Sequence, residues 1–363
     1  MATDLHSSTG SKPLDTSGVS AHSRITAQEF EELIQVHDQV LVACKPRELD
    51  PLLCILENNR FQGKTRQFEV GTIIHDKPHA ERLDLCKQRL GPSNTEMLMK
   101  ALHDNDVLNG VLLGANGMGD RGAKAVADLV RNNKNVETVF LGCNMIREEG
   151  IEALTSVLHG NMHVRSLWVK RNPLELAGAK SMAEMLRNNT HLRTLDLVQT
   201  RIDEAGAKVV IDALVEGNKT LQRLYLGGLG LTSNFAPELN RLLEGADNVT
   251  DLFISSNKLG DTGIEILSEG IKSSTTLRVL GLDSNGITHE GLEPLMEALW
   301  NHPSLKRLSL GFAANTKPVG ASANCFRNAG ASHVANMLKF NTTLHTLTLD
   351  NTQIGNQGAT EIA

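Results

Sequence analysis

VRSLWVKRNPL, residues Val164–Leu174, decides how this chain folds. Its apolar side chains stand at Val164, Leu167, Val169 and Leu174, with Asn172 between the last two, so it reads L-x-x-L-x-L-x-x-N-x-L. The alternation through Leu167, Trp168 and Val169 is that of a short strand with one face buried. The segment that follows, GAKSMAEML over Gly178–Leu186, places its apolar residues at i, i+3, i+4 and i+7, the stripe of an amphipathic helix. One strand, one turn and one helix therefore make a unit.

The unit recurs along the chain. Its first apolar slot falls at Ala80, Leu108, Val136, Val164, Leu192, Leu221, Val249, Leu277, Leu305 and Leu344, with spacings of 28, 28, 28, 28, 29, 28, 28, 28 and 39. The helical halves GAKAVADLV (Gly122–Val130), GIEALTSVL (Gly150–Leu158) and GLEPLMEAL (Gly291–Leu299) keep the same stripe, and the small residue that opens each one predicts close approach of the helix to the strand. Asn116, Asn144, Asn172, Asn257 and Asn285 share one column at the strand exit, where an amide can donate and accept at once and so satisfy turn backbone that no sheet ladder reaches. Thr200, Leu229 and Thr352 depart from that column, which predicts less regular turns there. The copy that starts at Leu305 is 11 residues longer than the others, and the surplus lies in the loop 311–323, GFAANTKPVGASA counted from Gly311, beside the inner face.

These residues resemble the ribonuclease-inhibitor subtype of leucine-rich repeat, in which repeats of about 28 residues carry a true helix outside. The resemblance covers 80–363 and implies an α/β fold: a right-handed horseshoe solenoid of ten repeats, with a parallel β-sheet on the concave face and α-helices on the convex face. The subtype also occurs in GTPase-activating proteins for Ran and in the sensor ends of NOD-like receptors. The stretch Gly71–Gly91 (GTIIHDKPHAERLDLCKQRLG) and the long ninth copy are most similar to Gala-type proteins of bacteria and some fungi. The resemblance implies binding of a protein partner. Its alternatives are activation of a small GTPase, as in the Ran activators, or service as a ubiquitin-ligase substrate adaptor of the Gala type. It supplies scaffold positions and no catalytic residue.

Around the repeats, residues 1–24 are rich in Ser, Thr, Gly and Asp and read as a disordered tail. Residues 25–79 read as a helical cap: Phe30, Leu33, Ile34, His37 and Leu41 give one helix and Leu49, Leu52, Leu53, Ile55 and Leu56 a second. Phe68, Val70 and Thr72 alternate as a strand or hairpin arm. A solenoid needs such a cap to close its first strand edge and core. The last copy stops at Ala363 in mid-helix, which predicts self-association or further chain at that end.

Composition narrows the function classes. A net charge of −6 argues against general nucleic-acid binding. No run approaches the ~18 apolar residues of a membrane span, and the N-terminus has no signal-peptide pattern, so a cytoplasmic location is expected. The five cysteines, Cys44, Cys54, Cys86, Cys143 and Cys325, are scattered and form no C-x-x-C pair. Gly117–Gly122 spells G-x-G-x-x-G between a strand and a helix, but Met118 and Gly122 already occupy repeat columns. His75 with His79 lacks a third metal ligand. Sequons at Asn188, Asn218 and Asn341 fall in the helix-to-strand turns. No catalytic, cofactor-binding or metal residue is expected.

What the repeat does not explain is the outward column between the two inner leucine slots. It reads Asp84, Leu112, Phe140, Trp168, Asp196, Tyr225, Phe253, Gly281, Ser309 and Thr348. Aromatics make up 3% of the chain, yet this column holds four in ten. Trp and Tyr are frequent anchors of interfaces. The expected protein-binding surface is therefore an exposed run of Phe140, Trp168, Tyr225 and Phe253, with Lys170, Arg171 and Asp196 as polar anchors.

Overall fold

The structure is a computed structural model that describes residues 43–58, 64–77, 80–314, 316 and 319–363. The expected tail over 1–24, the helix over Phe30–Leu41 and His79 lie outside the described residues.

Among the described residues twelve strands form one sheet in simple sequence order. They are β1 (Arg66–Gln67), β2 (Thr72–Lys77), β3 (Ala80–Asp84), β4 (Leu108–Leu112), β5 (Thr138–Phe140), β6 (Ser166–Trp168), β7 (Thr194–Asp196), β8 (Arg223–Tyr225), β9 (Asp251–Phe253), β10 (Val279–Gly281), β11 (Arg307–Ser309) and β12 (Thr346–Thr348). β1 and β2 pair antiparallel, as do β2 and β3. From β3 onward every pair is parallel, each crossover carrying one α-helix. Phe68 and Val70, expected in a strand arm, sit instead in the turn between β1 and β2, closed by the Phe68 N–H on the Gly71 carbonyl at 2.9 Å. Gly71 adopts φ 88°, a left-handed conformation that breaks the alternation.

The register fixes the faces. Val111, Val139, Leu167, Leu195, Leu224, Leu252, Leu280 and Leu308 pair along the sheet as one column, all fully buried. They join the helix residues, such as Val126, Leu154, Met182 and Val210, in one core that runs the length of the solenoid. The α/β leucine-rich solenoid expected from the sequence is the fold observed.

The expected role of the helix-opening glycine needs correction. A Cβ on Gly178 would stand 2.8 Å from Leu174 Cβ and 3.1 Å from Ile151, and one on Gly206 2.7 Å from Ile202 Cβ and 2.9 Å from Ala179 Cβ. The close approach is to the apolar residue four positions earlier and to the preceding helix, not to the strand. Removal of the side chain is what lets successive helices stack at the repeat distance.

Two amide ladders hold the turns. Asn144 Oδ1 accepts the N–H of Asn116 at 2.8 Å, while its Nδ2 donates to the carbonyls of Leu113 and Leu141 at 2.8 and 3.0 Å. Asn172 repeats the pattern one copy on. Asn324 carries it across the long copy, accepting from Asn285 N–H at 2.9 Å. At the opposite end of the strands, Asn133, Asn161, Asn189 and Asn218 bridge each helix end to the copy before it, as when Asn189 Nδ2 donates to Leu158 O. This second ladder accounts for the sequon asparagines Asn218 and Asn341, whereas Asn188 stands one residue before the ladder, exposed, with its amide on Glu184 O. Asn218 is 2% exposed, and its amide already donates to Leu186 O at 2.8 Å.

Candidate functional site

The strand alternation that sends Leu167 and Leu195 into the core sends their neighbours to the opposite face, which carries no helix among the described residues. Register partners there are Leu112, Phe140, Trp168, Asp196, Tyr225, Phe253, Gly281 and Ser309. The aromatics of the predicted surface thus share one column.

Their exposure differs from expectation. Phe140 and Trp168 are only 5% and 6% exposed, and with Cys86 and Leu112 they form a second hydrophobic cluster, against which Tyr225 packs. Arg171 and Asp196 are also buried, at 7% and 2%. The physical reason is spacing. Strands about 4.8 Å apart bring large side chains of one column into van der Waals contact, so they cover one another. Tyr225 and Phe253 stack at 4.2 Å with planes 4° apart, and Trp168 leans onto Tyr225 at 5.1 Å, tilted by 47°. Glycines make the room: a Cβ on Gly114 would lie 2.5 Å from Phe140 Cε1, and one on Gly281 2.9 Å from Phe253 Cδ1. The half-exposed members of the expected set are Lys170, Tyr225 and Phe253.

Lys170 Nζ lies over the Phe140 ring, 5.2 Å from its centroid, a cation–π contact. Arg171, at φ 56°, turns its Nε to Gln199 Oε1 at 2.6 Å. Asp196 is the short member of the column. Trp168 on β6 and Tyr225 on β8 meet above it, and its Oδ1 accepts the Val198 N–H at 2.9 Å. Burial pushes its carboxyl up to about 6, against the pull of Lys170 and Arg171. Burial, with the Asp196 charge second, also holds the Tyr225 phenol well above its ordinary value.

Other motifs resolve into structure. In Gly117–Gly122 the Gly119 N–H donates to Asn144 O at 2.9 Å and the Gly122 N–H to Met118 O at 3.0 Å, while a Cβ on Gly122 would strike Met118 at 2.4 Å. Neither amide is left to hold a phosphate. Asp120, within the motif, accepts from Arg147 and Gly150 N–H at 2.6 and 3.1 Å and caps the next helix. His75 pairs with Glu81 across β2 and β3 at 3.1 Å. Among the described residues no group of three or more His, Cys, Asp or Glu could hold a metal, and no helix is long and apolar enough to cross a membrane. Of the loop 311–323, Ser322 O accepts from Gly286 N–H at 2.8 Å, and Val319 lies against Gly228, where a Cβ would be 3.4 Å away.

Sequence reasoning missed the inter-repeat caps made by Asp120, Asp261 and Asn328. Their signal was an acid or amide recurring about one repeat before each helix start.

A leucine-rich repeat family model matches residues 188–210, 273–296 and 340–363. "NACHT, LRR and PYD domains-containing protein 3" of Bos taurus is 36% identical over 92 residues, covering 25% of this chain and 9% of that protein. Its Homo sapiens counterpart is 37% identical over 92 residues, again 25% and 9%. The chain thus spans about a tenth of the length of these relatives. Among solved structures, leiomodin-1 actin-binding site 2 aligns with TM-score 0.35 and 18% identity over 42% of this chain and 84% of that one. At that score the likeness is too weak to bear on function. Repeat spacing, sheet register, the amide ladder and the matched segments agree that the chain folds as a leucine-rich-repeat protein.

Proposed function

We propose that this chain is a non-catalytic, cytoplasmic protein-binding scaffold that receives a protein partner on the concave face of its sheet. The observation that carries the reading is the half-exposed Tyr225–Phe253 stack at the edge of the second hydrophobic cluster, on a face of the sheet that none of the described helices covers. Exposed aromatic surface gathered in one patch is a mark of an interaction site. The contact residues in this reading are Tyr225, Phe253 and Lys170, with Trp168 and Phe140 as the floor that positions them. Arg171 and Asp196 lie deeper and orient that floor rather than reach the partner. The expectation that nucleic acid is not the partner rests on the charge balance of the sequence, and that for the membrane on its lack of a long apolar run.

The test is affinity capture with wild type and with Tyr225→Ala/Phe253→Ala, read by quantitative mass spectrometry and followed by direct binding of the recovered protein. Loss of the same protein from the double variant, at unchanged fold, supports the reading. Equal recovery sinks the assignment to this face. GTP hydrolysis by candidate small GTPases in the presence of the chain separates the GTPase-activator alternative, and binding of a ubiquitin-ligase adaptor protein separates the other.

A further inference from the structure

Asp196 is a carboxylate set among the aromatics of the column, and the packing gives it no paired cation among the described residues. Its side chain is 2% exposed and roofed by Trp168 and Tyr225, whose ring centroids are 5.1 Å apart across its strand. Among the described residues no cation stands within ion-pair distance of it, although Lys170 and Arg171 leave the neighbouring strand beside it. The backbone N–H of Val198 supplies its hydrogen bond. A buried carboxylate without a paired cation is costly, whereas a buried carboxylic acid is not. Aromatic faces carry partial negative charge, so a carboxylate under two rings repels its own roof.

We propose that Asp196 is a proton switch for the concave face: protonated, it sits closed beneath the Trp168–Tyr225 roof, and ionised, it parts the two rings and admits water. The proposal concerns the regulation of the binding face and rests on that reading for its purpose, but not for its physics. The groups facing Asp196 from the packed elements are Cys143 at the exit of β5, Lys170 and Arg171 at the exit of β6, and Tyr225 on β8. The Arg223–Asp251 ion pair, at 2.9 Å, joins β8 and β9 at the register of Thr194, two residues before Asp196 on the same face. Cys143 and Tyr225 are both held upward by burial. Within this cluster Asp196 alone changes charge as the pH moves through about 6.

The chain holds two tryptophans, so Trp300→Phe isolates Trp168 as the reporter. Acrylamide quenching of Trp168 in this background is followed from about pH 5 to about pH 7.5, with no partner present. We expect quenching to rise roughly two-fold in one transition, with closed and open forms exchanging populations. The midpoint is expected at about 6. In Asp196→Asn, whose amide oxygen can still accept from Val198, the transition is expected to vanish, and Asp196→Ser serves as a second non-titrating variant. A flat wild-type titration, or the same transition in either variant, overturns the proposal. The binding reading fails separately: a switch that titrates as expected while Tyr225→Ala/Phe253→Ala still captures every partner refutes the binding face and leaves the switch standing.

Discussion

Asp261 Oδ1 accepts the backbone N–H of Gly291 at 3.1 Å, thirty residues along the chain and one helix away. The same oxygen accepts from Thr288 N–H at 2.7 Å, and Oδ2 accepts from the Thr288 hydroxyl at 2.8 Å. The N-terminus of one helix, with its unpaired N–H groups and positive dipole end, is thus capped by a carboxylate from the repeat before it.

Removing that cap should loosen the recipient rather than the donor. Asp261→Ala is expected to lose about 1–2 kcal/mol in urea unfolding. Hydrogen exchange should quicken at the start of helix His289–Leu299 while helix Gly260–Ser273 stays protected. Asp261→Asn, which keeps an acceptor oxygen, should retain most of the stability. Uniform weakening of both helices would show that the cap is not what links them.

His302 gives acid sensitivity with a defined sign. It fills the position held by Asn189 and Asn218 in earlier copies, is 2% exposed, and accepts from Leu305 and Ser304 N–H on Nδ1 at 3.1 and 3.3 Å. The proton therefore sits on Nε2, which donates to Ile271 O at 2.9 Å. Burial lowers its pKa from the ordinary 6.5. The unfolded chain then binds the extra proton first, so this contribution is whole above 6.5 and is lost as the pH falls below it. His302→Asn should restore the column and make stability less pH-dependent there, read as the difference in melting temperature between variant and wild type. An unchanged acid slope would count against the assignment.

Asp196 has the opposite sign. Its folded-state value of about 6 exceeds the ordinary 3.8, so its contribution is favourable below 3.8 and is lost as the pH rises toward 6. Asp196→Asn should therefore stabilise the chain at neutral pH, by on the order of 2 kcal/mol, and should make no such difference near pH 3.8. Chemical denaturation at the two pH values checks this. Destabilisation at neutral pH would mean that Lys170 and Arg171 compensate the charge.

Leu224 and Trp168 separate the two faces of the sheet. Leu224, fully buried in the long core, should cost about 2–5 kcal/mol as Leu224→Ala, with the loss spreading to adjacent copies because each repeat is supported by its neighbours. Trp168→Ala should also destabilise, by about 3 kcal/mol, because the ring is buried rather than displayed. Tyr225→Ala, at the half-exposed edge, should cost less than either. A silent Trp168→Ala would return that ring to the exposed role the sequence suggested.

Periodicity alone determined the repeat unit, its copies, the core leucines and the strand face of each column, because a strand of period two and a helix of period 3.6 leave local marks that need no distant contact. The ladder of Asn116, Asn144 and Asn172 was legible for the same reason. What only the tertiary structure decided is how neighbours in a column treat one another. Phe140, Trp168, Tyr225 and Phe253 share a face on paper, but whether they stand exposed or cover each other depends on strand spacing, on the glycines beside them and on a short Asp196 beneath two rings. The caps from Asp120 and Asp261 likewise exist only once helices a repeat apart are stacked. Position along the chain assigns a side chain to a face, and packing across the sheet decides whether it meets water or its neighbour.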